Sequence, residues 1–209
     1  MANTFDRVQL CGDKWFFNLR SGHTIDGPRA CLKKRWPVLE SRDVFSSVSL
    51  CEAADAVVLP GVGLQIPAEE ILCCLFGVEN PQQLMEKSLQ EESGESWLQR
   101  MQKRREQVPA CLQSVNPLDG GCIFVTLGTN SRITLDLHEL DGYTTYQVLR
   151  NPMVSSQVRT DGSRLLFGGG FSLSVGELFW LLMKGPQGPR ARLMYGGSAR
   201  ISAKNGKKD

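Results

Sequence analysis

The sequence predicts an α+β fold: an N-terminal β-hairpin and strand, a short three-helix middle, and a C-terminal antiparallel sheet covered by one buried helix, residues 175–184. Three patterns carry this expectation. Apolar residues alternate with polar ones near both ends of the chain, recur at helical spacing in the middle, and run almost unbroken from Val175 to Met183.

The first element is a hairpin over Arg7–Leu19. Val8 and Leu10 alternate with polar neighbours, Gly12-Asp13 supplies a two-residue turn, and Trp15, Phe16 and Phe17 are strand formers. Asp26-Gly27-Pro28 reads as a turn, and a short helix can start at Pro28 but cannot pass Pro37. Asp43–Cys51 alternates, with Val44, Val48 and Leu50 on one side and Phe45 and Cys51 on the other, which predicts a strand.

The helical middle spans about 67–108. Pro67 suits a helix start, Glu69 and Glu70 favour the positive helix end, Ile71, Leu72, Leu75 and Phe76 repeat at helical spacing, and Gly77 ends the helix. Asn80-Pro81 opens a second helix carrying Leu84, Met85 and Leu89. A third is expected from Ser96 to Val108 on the apolar side chains Trp97, Leu98 and Met101.

The β-rich part covers about 121–202. Cys122–Gly128, Arg132–His138, Tyr143–Leu149, Ser156–Thr160 and Arg164–Phe167 are strand-like, separated by glycine-containing turns, and predict a meander of four or five strands. Ala191–Gly197 offers a further strand. Residues 1–202 are expected to form one α+β domain, with the N-terminal strands joining the C-terminal sheet, and 203–209 to be a disordered basic tail.

Gly168-Gly169-Gly170 stands before the most apolar stretch of the chain. A phosphate-binding loop needs a lysine and a Ser or Thr after its glycines, and Phe171-Ser172-Leu173 follows instead. A membrane span needs about 20 apolar residues; Phe171–Met183 is shorter and contains Glu177. Ser174-Val175-Gly176-Glu177 is a capping box, and Lys184, Gly185 and Pro186 form a helix stop. The stretch therefore reads as a buried helix, with the glycines letting the chain turn into it.

At 209 residues, 41% hydrophobic and 22% charged, the chain can bury a sizeable core. A net charge of only +2 gives no global argument for nucleic acid. The charge is unevenly spread: residues 52–96 hold nine acidic groups and one basic, and 184–209 hold seven basic and one acidic. The N-terminus lacks a secretory h-region. The seven cysteines, Cys11, Cys31, Cys51, Cys73, Cys74, Cys111 and Cys122, are then expected to be reduced thiols, mostly buried, in an intracellular protein of the cytoplasm or nucleus. No Cys-x-x-Cys occurs and there are two histidines, His23 and His138, so no metal or cofactor is expected.

Two basic clusters are the candidate binding residues: Lys33, Lys34 and Arg35 beside Trp36, and Arg100, Lys103, Arg104 and Arg105 on the third helix. Tyr146–Leu149 has the form of a tyrosine-based sorting signal inside an expected strand. Asp136 and His138, two apart in a strand, would share a face and could orient one another, although no catalytic residue is assigned.

Three functional expectations follow. The first is a non-enzymatic assembly or partner-binding protein, such as a viral matrix, shell or accessory component, because acidic and basic segments on one chain favour contacts between copies. The second is binding to nucleic acid or an anionic membrane surface through the basic clusters, without a transmembrane segment. The third is an enzyme with a site near Asp136 and His138.

Overall fold

A computed structural model describes residues 3–84 and 111–185. Its largest feature is a six-stranded antiparallel sheet built from the N-terminal segment 5–28 and the mid-chain segment 112–136. The strands are β1 (Phe5–Cys11), β2 (Lys14–Leu19), β3 (Thr24–Pro28), β7 (Leu112–Leu118), β8 (Cys122–Leu127) and β9 (Arg132–Asp136), in the order β1-β2-β3-β9-β8-β7. The seam is β3 against β9, with Ile25 opposite Ile133. Two smaller sheets complete the architecture: β4 (Ser49–Cys51), β5 (Ala56–Leu59) and β6 (Leu64–Pro67), and β10 (Arg159–Thr160), β11 (Arg164–Leu166) and β12 (Ser172–Ser174). The antiparallel, mixed composition is that of an α+β fold.

The helices are α1 (Arg29–Arg35), α2 (Arg42–Ser46), α3 (Ala68–Phe76), α4 (Pro152–Ser155) and α5 (Val175–Lys184). The expected capping box of α5 forms: the Ser174 hydroxyl accepts from the Glu177 amide and the Glu177 carboxylate accepts from the Ser174 amide. The C-terminal end of α5 is held by groups far away in sequence: Ser21 Oγ donates to Leu182 O at 3.4 Å, and the Thr4 hydroxyl, which donates to Asp55 Oδ2 at 2.8 Å, lies 3.4 Å from Met183 O. Phe179 meets Phe76 of α3 edge to face, with ring centroids 5.4 Å apart. No described helix is long and apolar enough to cross a membrane.

The core under β1–β3 is aromatic. Trp15 stacks on Phe45 at 4.9 Å and donates its indole N–H to Phe45 O at 2.9 Å, while Phe17 stacks on Phe5 at 4.5 Å. All four rings are buried, and such pairs add to simple area burial.

The structure departs from the sequence expectations at five places. Asp26-Gly27-Pro28 is the second half of β3, not a turn. Gly27 lacks the Cβ that would sit 3.1 Å from Leu75 and 3.4 Å from Leu32, so α1 and α3 close onto the strand there. Asp43–Cys51 is not one strand. Ser41 caps α2, whose Phe45 reaches Trp15, and only Ser49–Cys51 is extended. Tyr143–Leu149 is not a strand either: Thr144–Arg150 forms a 3-10 segment that buries Tyr146 and Leu149. The meander is consequently divided, with β8–β9 in the large sheet and β10–β12 in a small one. Of the second expected helix, Pro81–Leu84 is a 3-10 turn; the remainder, the third helix, the strand at Ala191–Gly197 and the basic tail lie outside the described residues. The glycines at 168–170 form a turn with Gly169 and Gly170 at positive φ, and Gly168 packs on the backbone of Val154 and Met153.

Candidate functional site

The site is assembled at one end of β8 and β9. Ile123, Val125 and Leu127 of β8 point into the core. Alternation therefore places Cys122 on the other side, where it pairs in register with Asp136 of β9. Gly120 and Gly121 both have positive φ and turn the chain from β7 into β8. Beyond Asp136, the Leu137 amide donates to Gly121 O at 3.0 Å, and a 3-10 turn begins at His138. The His138 ring lies over Gly121: a Cβ at that position would be 2.6 Å from Cε1. Glycine is thus required twice over at 121, by conformation and by space.

Asp136 joins both histidines of the chain. Its Oδ1 accepts from the His138 amide at 2.9 Å and lies 3.1 Å from His138 Nδ1. Because a carboxylate accepts, Nδ1 carries the proton and Nε2 offers its lone pair. The Asp136 amide donates to His23 Nδ1 at 3.3 Å. His23 is 1% exposed, and its Nε2–H has no hydrogen-bond partner among the described residues. Burial lowers its pKa to about 4, against a smaller upward pull from the Asp136 charge, so the buried ring is neutral.

His138 and Cys122 line one cleft of about 760 Å³. Its walls come from the β7–β8 turn, the 138–141 turn, the end of the 144–150 segment and α4. Leu118, Leu137 and Leu149 provide apolar surface; Ser155, Ser156 and Arg150 provide polar groups. Arg150 donates through Nε to Asp141 Oδ1 at 3.0 Å and through Nη2 to the Asp141 carbonyl, which fixes the guanidinium at the rim. Burial, and then the Asp136 charge, raise the Cys122 pKa, so this sulfur is a thiol until a base takes its proton. No three or more His, Cys, Asp or Glu side chains come together as a metal site among the described residues.

The candidate binding residues fare differently. On α1, Lys33 Nζ lies 3.0 Å from Glu40 Oε1, and Arg35 Nη2 lies 3.7 Å from Glu70 Oε2. Arg35 also donates to the carbonyls of Val78 and Glu79 and stacks over Trp36 at 5.6 Å. Lys34 alone of the three makes no ion pair among the described residues. Arg100, Lys103, Arg104 and Arg105 lie outside the described residues. Tyr146 and Leu149 are buried and cannot be displayed as a linear signal without local unfolding.

Asp136 and His138 are neighbours as their spacing implied, by a different route: the strand ends at Asp136 and the His138 ring folds back over Gly121. Cys122, Gly121, Asp141 and Arg150 were not legible as site residues. Their one sequence signal, the Asp119-Gly120-Gly121 turn, says where the chain reverses and not what faces it. The chain matches no protein-family model, no curated protein sequence and no solved structure.

Proposed function

We propose that the cleft beside β8 and β9 binds a small polar molecule and that His138 moves a proton on it, with Asp136 as the residue that orients the imidazole. The observation that carries this is the 3.1 Å contact between Asp136 Oδ1 and His138 Nδ1 at the cleft wall. It holds one tautomer and leaves Nε2 as the basic atom. The proton removed belongs to water or to the Cys122 thiol, both of which need a base to act as nucleophiles at neutral pH. Arg150 suits an anionic or carbonyl group at the rim, and the three leucines suit an apolar body.

The test combines ligand binding with turnover. A fragment set followed by amide chemical shifts should perturb Gly121, Cys122, His138 and Arg150 together. A panel of chromogenic carboxylic and phosphoric esters should be hydrolysed faster than in buffer, and H138A should lower that rate by about 100-fold or more. Binding confined to other surfaces, or H138A turning over like the parent, would count against the assignment.

Self-association has separate support. The two edges of the large sheet are its two longest strands, β1 and β7, and each exposes a large apolar side chain: Leu10 at 42% and Leu118 at 48%. Unpaired edges are templates for another chain. Light scattering after size-exclusion chromatography, at low and high salt, distinguishes a particle larger than one chain from a monomer. An intracellular setting is supported by the seven free cysteines, including exposed Cys11.

A further inference from the structure

Helices α1 and α3 meet in the interior, and each brings a cysteine to the contact. Cys31 and Cys74 are 43 residues apart in sequence, and their sulfurs are 3.9 Å apart. Each sulfur also reaches the partner's main chain: Cys31 Sγ lies 3.4 Å from Cys74 O, and Cys74 Sγ lies 3.9 Å from Cys31 O. A bridge would bring the two sulfurs from this van der Waals contact to about 2 Å. Both residues are free thiols, buried but not wholly sealed, at 7% and 8% exposure.

We propose that Cys31 and Cys74 form a reversible dithiol site, oxidised by hydrogen peroxide to a disulfide that ties α1 to α3. The Cys31 thiolate attacks one peroxide oxygen. The O–O bond breaks, the departing hydroxide takes up the Cys31 proton as water, and Cys31 becomes a sulfenic acid. The Cys74 sulfur then attacks the Cys31 sulfur. The S–O bond breaks, and the leaving hydroxide takes the Cys74 proton as a second water. Two thiols and one peroxide become one disulfide and two waters, with two electrons passing from sulfur to oxygen.

The order of attack follows from the surroundings. The hydrogen bond between the two sulfurs, and then Lys34, one turn along α1, favour the thiolate of Cys31 against the opposing effect of burial, so Cys31 is the more acidic of the two. The same hydrogen bond and burial hold the Cys74 proton in place, which suits the second, resolving role. Neighbouring Cys73 is pushed up to about 11 by burial, then by Glu69, and stays a thiol.

The experiment treats the full chain with hydrogen peroxide, blocks remaining thiols with iodoacetamide, and maps peptides without reduction. The expected product is lighter by two hydrogen atoms, contains one linked peptide pair carrying Cys31 and Cys74, melts several degrees higher, and reverts with dithiothreitol. Neither C31S nor C74S should form the link. Recovery of Cys31 and Cys74 as alkylated thiols from the oxidised parent, or a link that joins Cys73 instead, overturns the proposal. The parent's peptide map decides the matter even where a serine variant fails to fold.

Discussion

His23 and His138 touch the same aspartate, and almost nothing else about them is alike. His23 is 1% exposed, accepts the Asp136 amide through Nδ1, and is driven neutral by burial. The His138 side chain is 66% exposed, and its Nδ1 lies against the Asp136 carboxylate. One ring is a strut between β9 and the preceding β2–β3 turn; the other is available to a ligand. The difference lies in solvent access and not in the partner. A neighbouring carboxylate acts on a ring that water can reach quite differently from one that must first be desolvated to carry charge.

The buried side of this comparison is the easier to break. Trp15→Ala removes a fully buried ring that stacks on Phe45 and donates to its carbonyl. It should cost about 4 kcal/mol in chemical denaturation, the largest effect expected here. A cost near zero would mean that the aromatic core under β1–β3 is not what stabilises the sheet.

Acid should act next, through His23. Its pKa is about 4 in the folded chain and about 6.5 in the unfolded chain. The unfolded state therefore binds more protons between those values, and the stability that His23 contributes is complete above pH ~6.5 and lost as pH falls to ~4. The loss should be about 3 kcal/mol, and His23→Gln should remove most of that pH dependence. An identical pH profile for parent and variant would show that His23 is not the group responsible.

Gly121→Ala sharpens the comparison, because it touches His138 and leaves His23 alone. A methyl at positive φ costs roughly 1–2 kcal/mol, and it must also push the His138 ring away, since the space is occupied at 2.6 Å. Stability should fall modestly while turnover or ligand binding in the cleft falls as far as it does in H138A. Separate responses would show that the ring's seat on Gly121 is irrelevant to the site.

His138→Ala should have the smallest effect on stability, within about 0.5 kcal/mol, since two-thirds of that side chain already faces solvent. The same change should abolish the proton transfer proposed for the cleft. A large stability loss would recast His138 as a second strut.

The pattern of success along the sequence has a physical cause. The hairpin at Gly12-Asp13, α3 with its glycine stop, and α5 with its capping box were legible, because each is set by neighbours within a few residues. Asp43–Cys51 and Tyr143–Leu149 depart from the strands their sequences predict for the opposite reason. Their alternating apolar residues fit either a strand or a tight helical turn, and the choice went to whatever they could pack against. Phe45 found Trp15, and Tyr146 found Phe171. The site was half legible. Asp136 and His138 are two residues apart, so their contact is local; Cys122, Arg150 and His23 reach the same place only through strand pairing and a distant turn.

What the sequence determined by itself was the α+β class, the hairpin, the capped helices and the Asp136–His138 proximity, all of them outcomes of short-range geometry. Tertiary structure decided the rest. Only the β3–β9 seam brings His23 beneath Asp136, only the fold of 144–152 closes a cleft over Cys122, and only the packing of α1 on α3 puts the Cys31 and Cys74 sulfurs in contact. Each of these joins segments tens of residues apart, and the spacing of residues along the chain carries no record of which distant surfaces will exclude water between them.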